Sequence, residues 1–310
     1  MEAENCSHEE PVECDTESAK GTDEWEVDES IKQNWEKQQA ELKNQLILYD
    51  VDEWAKLRLS GNNSQGDSRP LKFVGGVDIS FVKGDKYNAC AAFVVLSYPD
   101  LNVVYQDLSM VHLTAPYIPG FLAFREADFL VNKVKKLKRS NPELMPQVIV
   151  VDGNGTLHPR GVGLACHLGV ELDLPTIGAA KNLYCVDGLK RDEKHFKQCS
   201  QWKAFTTGHS SGYDVNSERH SITMATHIAT LKKPGDSFPL IGQSEIQLGV
   251  ALKTCQDAKN PIFVSPGHKI SMETSAWVVQ LTSKYRVPEP TRQADQLSRE
   301  YLRKNRKDST

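Results

Sequence analysis

Three runs with strand-like alternation follow one another: 72–82, Ala89 to Tyr98, and Asn102 to Met110. The polar turns Lys83-Gly84-Asp85-Lys86 and Pro99-Asp100 separate them, which predicts hairpins and an antiparallel meander. After Pro116 the period changes to that of a helix, with Leu122, Phe129, Leu130, Val134 and Leu137 on one side and Asp128, Lys135 and Lys136 on the other. Pro142 and Pro146 end this helix, and Val148-Ile149-Val150-Val151 then reads as a buried parallel strand running into Asp152-Gly153-Asn154-Gly155. Three antiparallel strands, a crossover helix and a buried strand make an α/β domain with a mixed sheet.

Upstream, Trp35, Leu42, Leu46, Trp54 and Leu57 predict an amphipathic helix from about Ser30 to Leu59, followed by a loop at 61–66. Downstream, a small-residue helix is expected around Gly161 to Leu172, a strand at Thr176-Ile177-Gly178, hairpin strands near Leu248 to Leu252 and Ile262 to Ser265, and a last helix from about Thr274. The polar stretch at about 190–236 is read as an insertion.

Composition changes this picture at the ends. Residues 1–30 hold twelve acids against one lysine, a charge of −11, so the remaining 280 residues carry +7 within the overall −4. Residues 1–29 are expected to be a disordered acidic tail, and the basic balance of the rest suits a protein that handles a polyanion. No run approaches the roughly 20 apolar residues of a membrane span, and no basic start with an apolar signal core is present, so an intracellular protein is expected. Seven scattered cysteines without a CxxC pair argue against a disulfide framework or a zinc ribbon.

Three acids stand where acids are costly. Asp78 interrupts the apolar strand between Val77 and Ile79, on a face shared with Gly76 and Ser80 that is expected to leave open space around its carboxylate, while Phe73, Val77, Ile79 and Phe81 face a core. Glu126 lies one turn from both Leu122 and Leu130, inside the helix stripe. Asp152 ends a buried strand, the edge at which open α/β sheets place ligands. Converging carboxylates select Mg²⁺ or Mn²⁺ rather than zinc, and such an ion suits phosphodiester hydrolysis.

Several motifs resemble those of the endonuclease V family in order: Gly75-Gly76-Val77-Asp78-Ile79-Ser80, Pro116-Tyr117-Ile118-Pro119 through Glu126, Val151 to Gly155 with His158-Pro159-Arg160, Gly178-Ala179-Ala180-Lys181, Ser265 to Ser271, and Val287 to Asp295. The resemblance spans about residues 33–303. It implies a ribonuclease H-like fold and Mg²⁺-dependent cleavage at the second phosphodiester 3′ to a deaminated base, chiefly hypoxanthine, leaving 5′-phosphate ends, with Mn²⁺ able to substitute. Asp78, Glu126, Asp152 and Asp295 match the family's metal-binding acids, and Lys181 matches a lysine near the scissile phosphate. Pro116, Tyr117, Ile118 and Pro119 are similar to the family's wedge, whose aromatic face can replace a lost stacking partner. Small residues at Gly153, Asn154 and Gly155 suit close approach to a flipped base. Arg125, His158 and His268 fall inside matched motifs; ordinary hydrogen-bonded histidines and an Arg125 that pairs with a neighbouring acid are the alternatives.

The insertion, with His195, His209, His220 and His227 at spacings that fit no common metal motif, and the acidic tail depart from the family pattern. Inosine-containing RNA is the expected substrate, deoxyinosine in DNA the alternative, and a non-catalytic inosine-strand binder or another ribonuclease H-like nuclease the readings beyond these. A monomer resident in cytoplasm and nucleus or nucleolus is expected, the basic end after residue 303 being compatible with either compartment.

Overall fold

The computed structural model describes residues 29–60, 71–189 and 228–307. The acidic tail, the loop at 61–66 and the four histidines of the insertion lie outside the described residues. Among the described residues no helix is long and apolar enough to cross a membrane.

Helices α1 (Glu29–Lys43) and α2 (Glu53–Ser60) precede the meander β1 (Phe73–Phe81), β2 (Asn88–Ser97) and β3 (Val103–His112). There follow α3 (Ala123–Ser140), β4 (Val148–Val151), α4 (Leu164–Leu172), β5 (Thr176–Ala180), β6 (Ser237–Ile241), β7 (Gln247–Leu252), β8 (Ile262–His268), α5 (Met272–Leu281) and α6 (Glu289–Lys307). All eight strands form one sheet in the order β3-β2-β1-β4-β5-β8-β7-β6. The run 148–151 is the expected buried parallel strand, lying between β1 and β5 and parallel to both.

The sheet is a core on both faces. Val77, Phe93, Ile149 and Val151 pack with Ala127, Leu130, Val134 and Leu137 of α3 and Leu164 and Leu168 of α4. The other face buries Val74, Val148, Val150 and Ile177 against Trp54 of α2 and Val278 and Val279 of α5. Further along that face Ala294 of α6 joins Ala92, Val94 and Leu96 of β2.

Four expectations change. The helix expected over about 30–59 is two, because the link between them is drawn onto the sheet: Asp50 accepts from Ser271 N at 2.8 Å and Thr274 Oγ1 at 2.7 Å, and Ile47 N donates to His268 Nδ1 at 3.3 Å. The last helix also splits, at the Pro288 and Pro290 segment, where Glu289 N turns back to Thr282 O at 2.7 Å. Strand β6, absent from the sequence reading, carries Pro239 yet stands at the sheet edge, where a missing N–H costs little. Finally, the space beside Gly76 and Asp78 is filled by α6, and Phe81 and Leu122 are exposed instead of facing the core.

Candidate metal and nucleic-acid site

Register brings the acids together. β1 and β4 are parallel with Val77 opposite Val151, so Asp78 and Asp152 are the next residues on neighbouring strands, whose spacing is about 4.8 Å. Lys181 follows the last residue of β5 on the next strand over, and its Nζ lies 2.6 Å from Asp152 Oδ2. Glu126 reaches the same end of the sheet from the first turn of α3, and Asp295 from the second turn of α6.

Their charges interact. Burial, then Asp152 and Asp295, push Asp78 up to about 6, against the hydrogen bonds from Ser80 and Ser298 that favour its ionised form. Burial, then Asp78 and Asp152, push Glu126 up to about 8, with the Arg125 charge opposing. Burial weakens the charge of Lys181, but Asp152 outweighs it and the ammonium is held above its ordinary range. Asp78 is fixed on one oxygen: Ser80 Oγ lies 2.9 Å and Ser298 Oγ 3.0 Å from Oδ2, and the two hydroxyls lie 2.7 Å apart.

Among the described residues no three His, Cys, Asp or Glu side chains already stand close enough to hold a metal ion together. Asp152 is turned onto Lys181, and Asp295 accepts from Arg299 Nε at 2.7 Å. The donor chemistry nonetheless fits a hard divalent cation: the groups are carboxylates, and their mutual repulsion is what such an ion relieves.

The other expected residues fall in two places. Pro116 to Pro119 lie between β3 and α3 with the Tyr117 ring 65% exposed, close enough to Tyr184 to help raise its phenol pKa, after burial. Gly153, Asn154 and Gly155 form the loop after Asp152; Gly155 N donates to Ser265 Oγ at 2.9 Å, while Asn154 Oδ1 is buried without a hydrogen-bond partner. His158 is buried 5.8 Å from the Tyr184 ring, and burial followed by the Arg160 charge lowers its pKa to about 4, so it is a neutral imidazole.

His268 and Arg125 lie elsewhere. His268 pairs with Thr176, at the end of β5 away from Lys181, and accepts from Ile47 N. Arg125 is buried, donates to Lys86 O in the β1–β2 turn and lies over the Phe81 ring at 5.4 Å; it bears on the site through its charge on Glu126. Sequence reasoning missed Ser298 and Gln39 and named Ser80 and Arg160 without giving them a role; the two serines hold Asp78, and Gln39 and Arg160 hold the loop bearing Tyr117. Gln39 carried the same signal as Glu126, a polar residue one turn from Trp35 and from Leu42 on an apolar stripe.

A family model described as Endonuclease V matches residues 55–296. The chain is 45% identical over 271 residues to Endonuclease V of Mus musculus, covering 87% of this chain and 69% of that protein. To Endonuclease V of Homo sapiens it is 43% identical over 272 residues, covering 87% and 83%. Among solved structures, the catalytic domain of human Endonuclease V superposes with a TM-score of 0.75 at 42% identity, over 90% of this chain and 98% of that one. Endonuclease V of Ciona intestinalis, in complex with a 23mer DNA containing an inosine followed by a ribo-adenosine, superposes with a TM-score of 0.68 at 32% identity, over 90% and 99%. The mixed sheet with helices on both faces is therefore a ribonuclease H-like fold, and in sequence and architecture alike the chain belongs to the Endonuclease V family.

Proposed function

We infer that this protein is a Mg²⁺-dependent endoribonuclease that cuts inosine-containing RNA at the second phosphodiester 3′ to inosine, leaving a 5′-phosphate. The observation that carries this reading is the electrostatic coupling of Asp78, Glu126, Asp152 and Asp295 at one end of the sheet with Lys181 among them. A protein that only bound a polyanion would gain nothing from carboxylates at the phosphate. These four acids would hold Mg²⁺, or Mn²⁺ in its place, and a divalent ion so held activates water and offsets charge developing on the phosphate.

The chain's own residues supply the rest. The Lys181 ammonium offers a positive charge to the phosphate once Asp152 releases it. The exposed Tyr117 ring can stack beside the lesion. Asn154 Oδ1, a buried acceptor that the protein does not answer, lies in the Gly153 to Gly155 loop. Such an acceptor suits hypoxanthine, whose N1–H donates where the N1 of adenine accepts. Neutral His158 meets Tyr184, which stands near Tyr117, and adds no charge there.

The strand in complex with the Ciona intestinalis relative, in which a ribo-adenosine follows the inosine, supports a role here for the 2′-hydroxyl next to the scissile bond. The same strand is otherwise DNA, which keeps deoxyinosine repair as the second reading. The test is cleavage of matched single-stranded RNA and DNA oligonucleotides carrying one inosine, in Mg²⁺, by wild type and Asp78→Asn. RNA cut one nucleotide beyond inosine and spared by Asp78→Asn is the expected result. Preferential cutting of DNA moves the protein to repair, and inosine-dependent binding without cutting makes it a binding module.

A further inference from the structure

We propose that Gln39 of α1 is a positioning residue that sets where the Tyr117 wedge stands relative to the acids. The proposal rests on the wedge reading above and adds to it a residue outside the segment 55–296 that the family model matches.

Gln39 is 2% exposed, the only buried residue of α1. Its Nε2 donates to Gly120 O at 3.1 Å and to Val162 O at 3.2 Å, and its Oε1 accepts from Arg160 Nε. Arg160 Nη2 donates to the same Gly120 carbonyl at 2.6 Å, and its guanidinium lies 3.9 Å from the Phe121 ring centroid. One carbonyl, at the residue after Pro119, is thus held by side chains from distant segments, Gln39 and Arg160, and His158 also hydrogen-bonds the Gly120 backbone. Two carbonyl acceptors and one guanidinium donor also define which end of the amide is which.

The fixing extends to the helix that bears Glu126. Trp35, one turn before Gln39, stacks on Phe124 at 5.1 Å with planes 7° apart and meets Phe121 at 5.8 Å. α1 therefore grips the loop at Gly120 and Phe121 and the first turn of α3 at Phe124 together. Gly120 has φ +80, a conformation that strains other residues, and a Cβ there would lie 2.7 Å from Arg160 Nη2. The Tyr117 ring is exposed, so its position follows the loop that carries it, and that loop is held by this anchor at Gly120 together with its own turn, Phe121 N donating to Ile118 O at 3.0 Å.

This makes a linkage that a double-mutant cycle reads directly. In the full chain, Gln39→Ala is expected to lower single-turnover cleavage of an inosine strand by about ten- to a hundredfold, the scale of a misplaced contact group. It should also reduce the fluorescence rise of a 2-aminopurine placed 3′ to the inosine, which reports unstacking. In a Tyr117→Ala background the same change should alter the rate by less than about twofold, because the residue acts through the ring. Gln39→Met keeps the volume and serves where the alanine variant melts early; Gln39→Glu, which sets an oxygen against two carbonyls, should match the alanine loss.

Losses that multiply in the double variant, or a Gln39→Met protein that cuts and unstacks like wild type while Tyr117→Ala is impaired, would overturn the proposal. If Tyr117→Ala itself cuts normally, the wedge reading fails first and the assignment of Gln39 with it.

Discussion

Replacing Gly76 by alanine should separate the fold from the site. A Cβ at Gly76 would be driven into the carbonyl of Pro290, deep inside van der Waals contact, and the obstacle is backbone at the start of α6. Restoring ordinary contact requires the helix to recede by roughly 1 Å or more. Asp295 lies five residues further along and Ser298 eight, about 7.5 and 12 Å at helical rise, so a rigid recession is delivered to both. Overpacking of this kind costs about 1–3 kcal/mol of stability, and a misplacement near 1 Å costs about a hundredfold in rate. Gly75 provides the control: a Cβ there meets Ile149, Pro146 and Phe93 at 3.0–3.3 Å on the opposite face, side chains that can yield by tenths of an ångström where the Pro290 backbone cannot. Single-turnover cleavage beside thermal melting measures both. Gly76→Ala should be folded and nearly inactive, Gly75→Ala folded and active. Wild-type cleavage by Gly76→Ala, or equal losses in the two variants, would refute the view that the seat of α6 on β1 places Asp295 and Ser298.

Ser298→Ala removes one of two hydroxyls on Asp78 Oδ2; cleavage should fall about tenfold while urea unfolding shifts by about 1 kcal/mol, and Mn²⁺ titration should show weaker binding. Asp78 and Glu126 are raised from 3.8 to about 6 and from 4.5 to about 8, so the folded state holds their protons more tightly than the unfolded chain does. Their contribution is fully present below about pH 4 and is lost as pH rises through 6 and 8; the metal-free protein should lose melting temperature over that window, and Mg²⁺ should restore more of it at pH 8 than at pH 5. A Mg²⁺ shift of equal size at both pH values would contradict this. Lys133, buried on α3 between Asp107 at 3.0 Å and Ser109 at 2.8 Å, is structural: Lys133→Met should cost about 1–3 kcal/mol, moderated because Asp107 keeps Lys136 at 2.9 Å, with cleavage per folded molecule unchanged.

The sheet was legible in the chain because its strands obey periods that burial imposes, and the exceptions have local causes. Val148 to Val151 is apolar throughout and could only be a strand covered on both faces, as it is. Pro239 hid β6, and the single period over 30–59 hid a break at Asp50, whose partners Ser271 and Thr274 at the start of α5 lie more than 200 residues away. Asp78, Glu126 and Asp152 were found as acids within or at the end of apolar runs, whereas Asp295 came only from the family resemblance. Ser298 and Gln39 interrupt helix stripes in the same manner, but an uncharged hydroxyl or amide is tolerated there often enough that its partner must be seen before its place in the site is evident.

Where the acids come from bears on how the site works. Asp78 and Asp152 are fixed by the register of two neighbouring strands, whereas Glu126 and Asp295 arrive on helices from opposite faces of the sheet. The strand pair cannot relax the repulsion between its own carboxylates, so the burial that raises Asp78 persists in the folded protein until a cation or a proton answers it. With Mg²⁺ at these acids, as proposed, protons and the ion compete for the same oxygens, and the acid side of the activity profile should move to lower pH as the Mg²⁺ concentration increases. The helices are the adjustable half. Both are seated through close contacts, α6 on Gly76 and α3 through Trp35 and Phe124 of the α1 contact, so the spacing of the four carboxylates depends on residues outside the acid cluster.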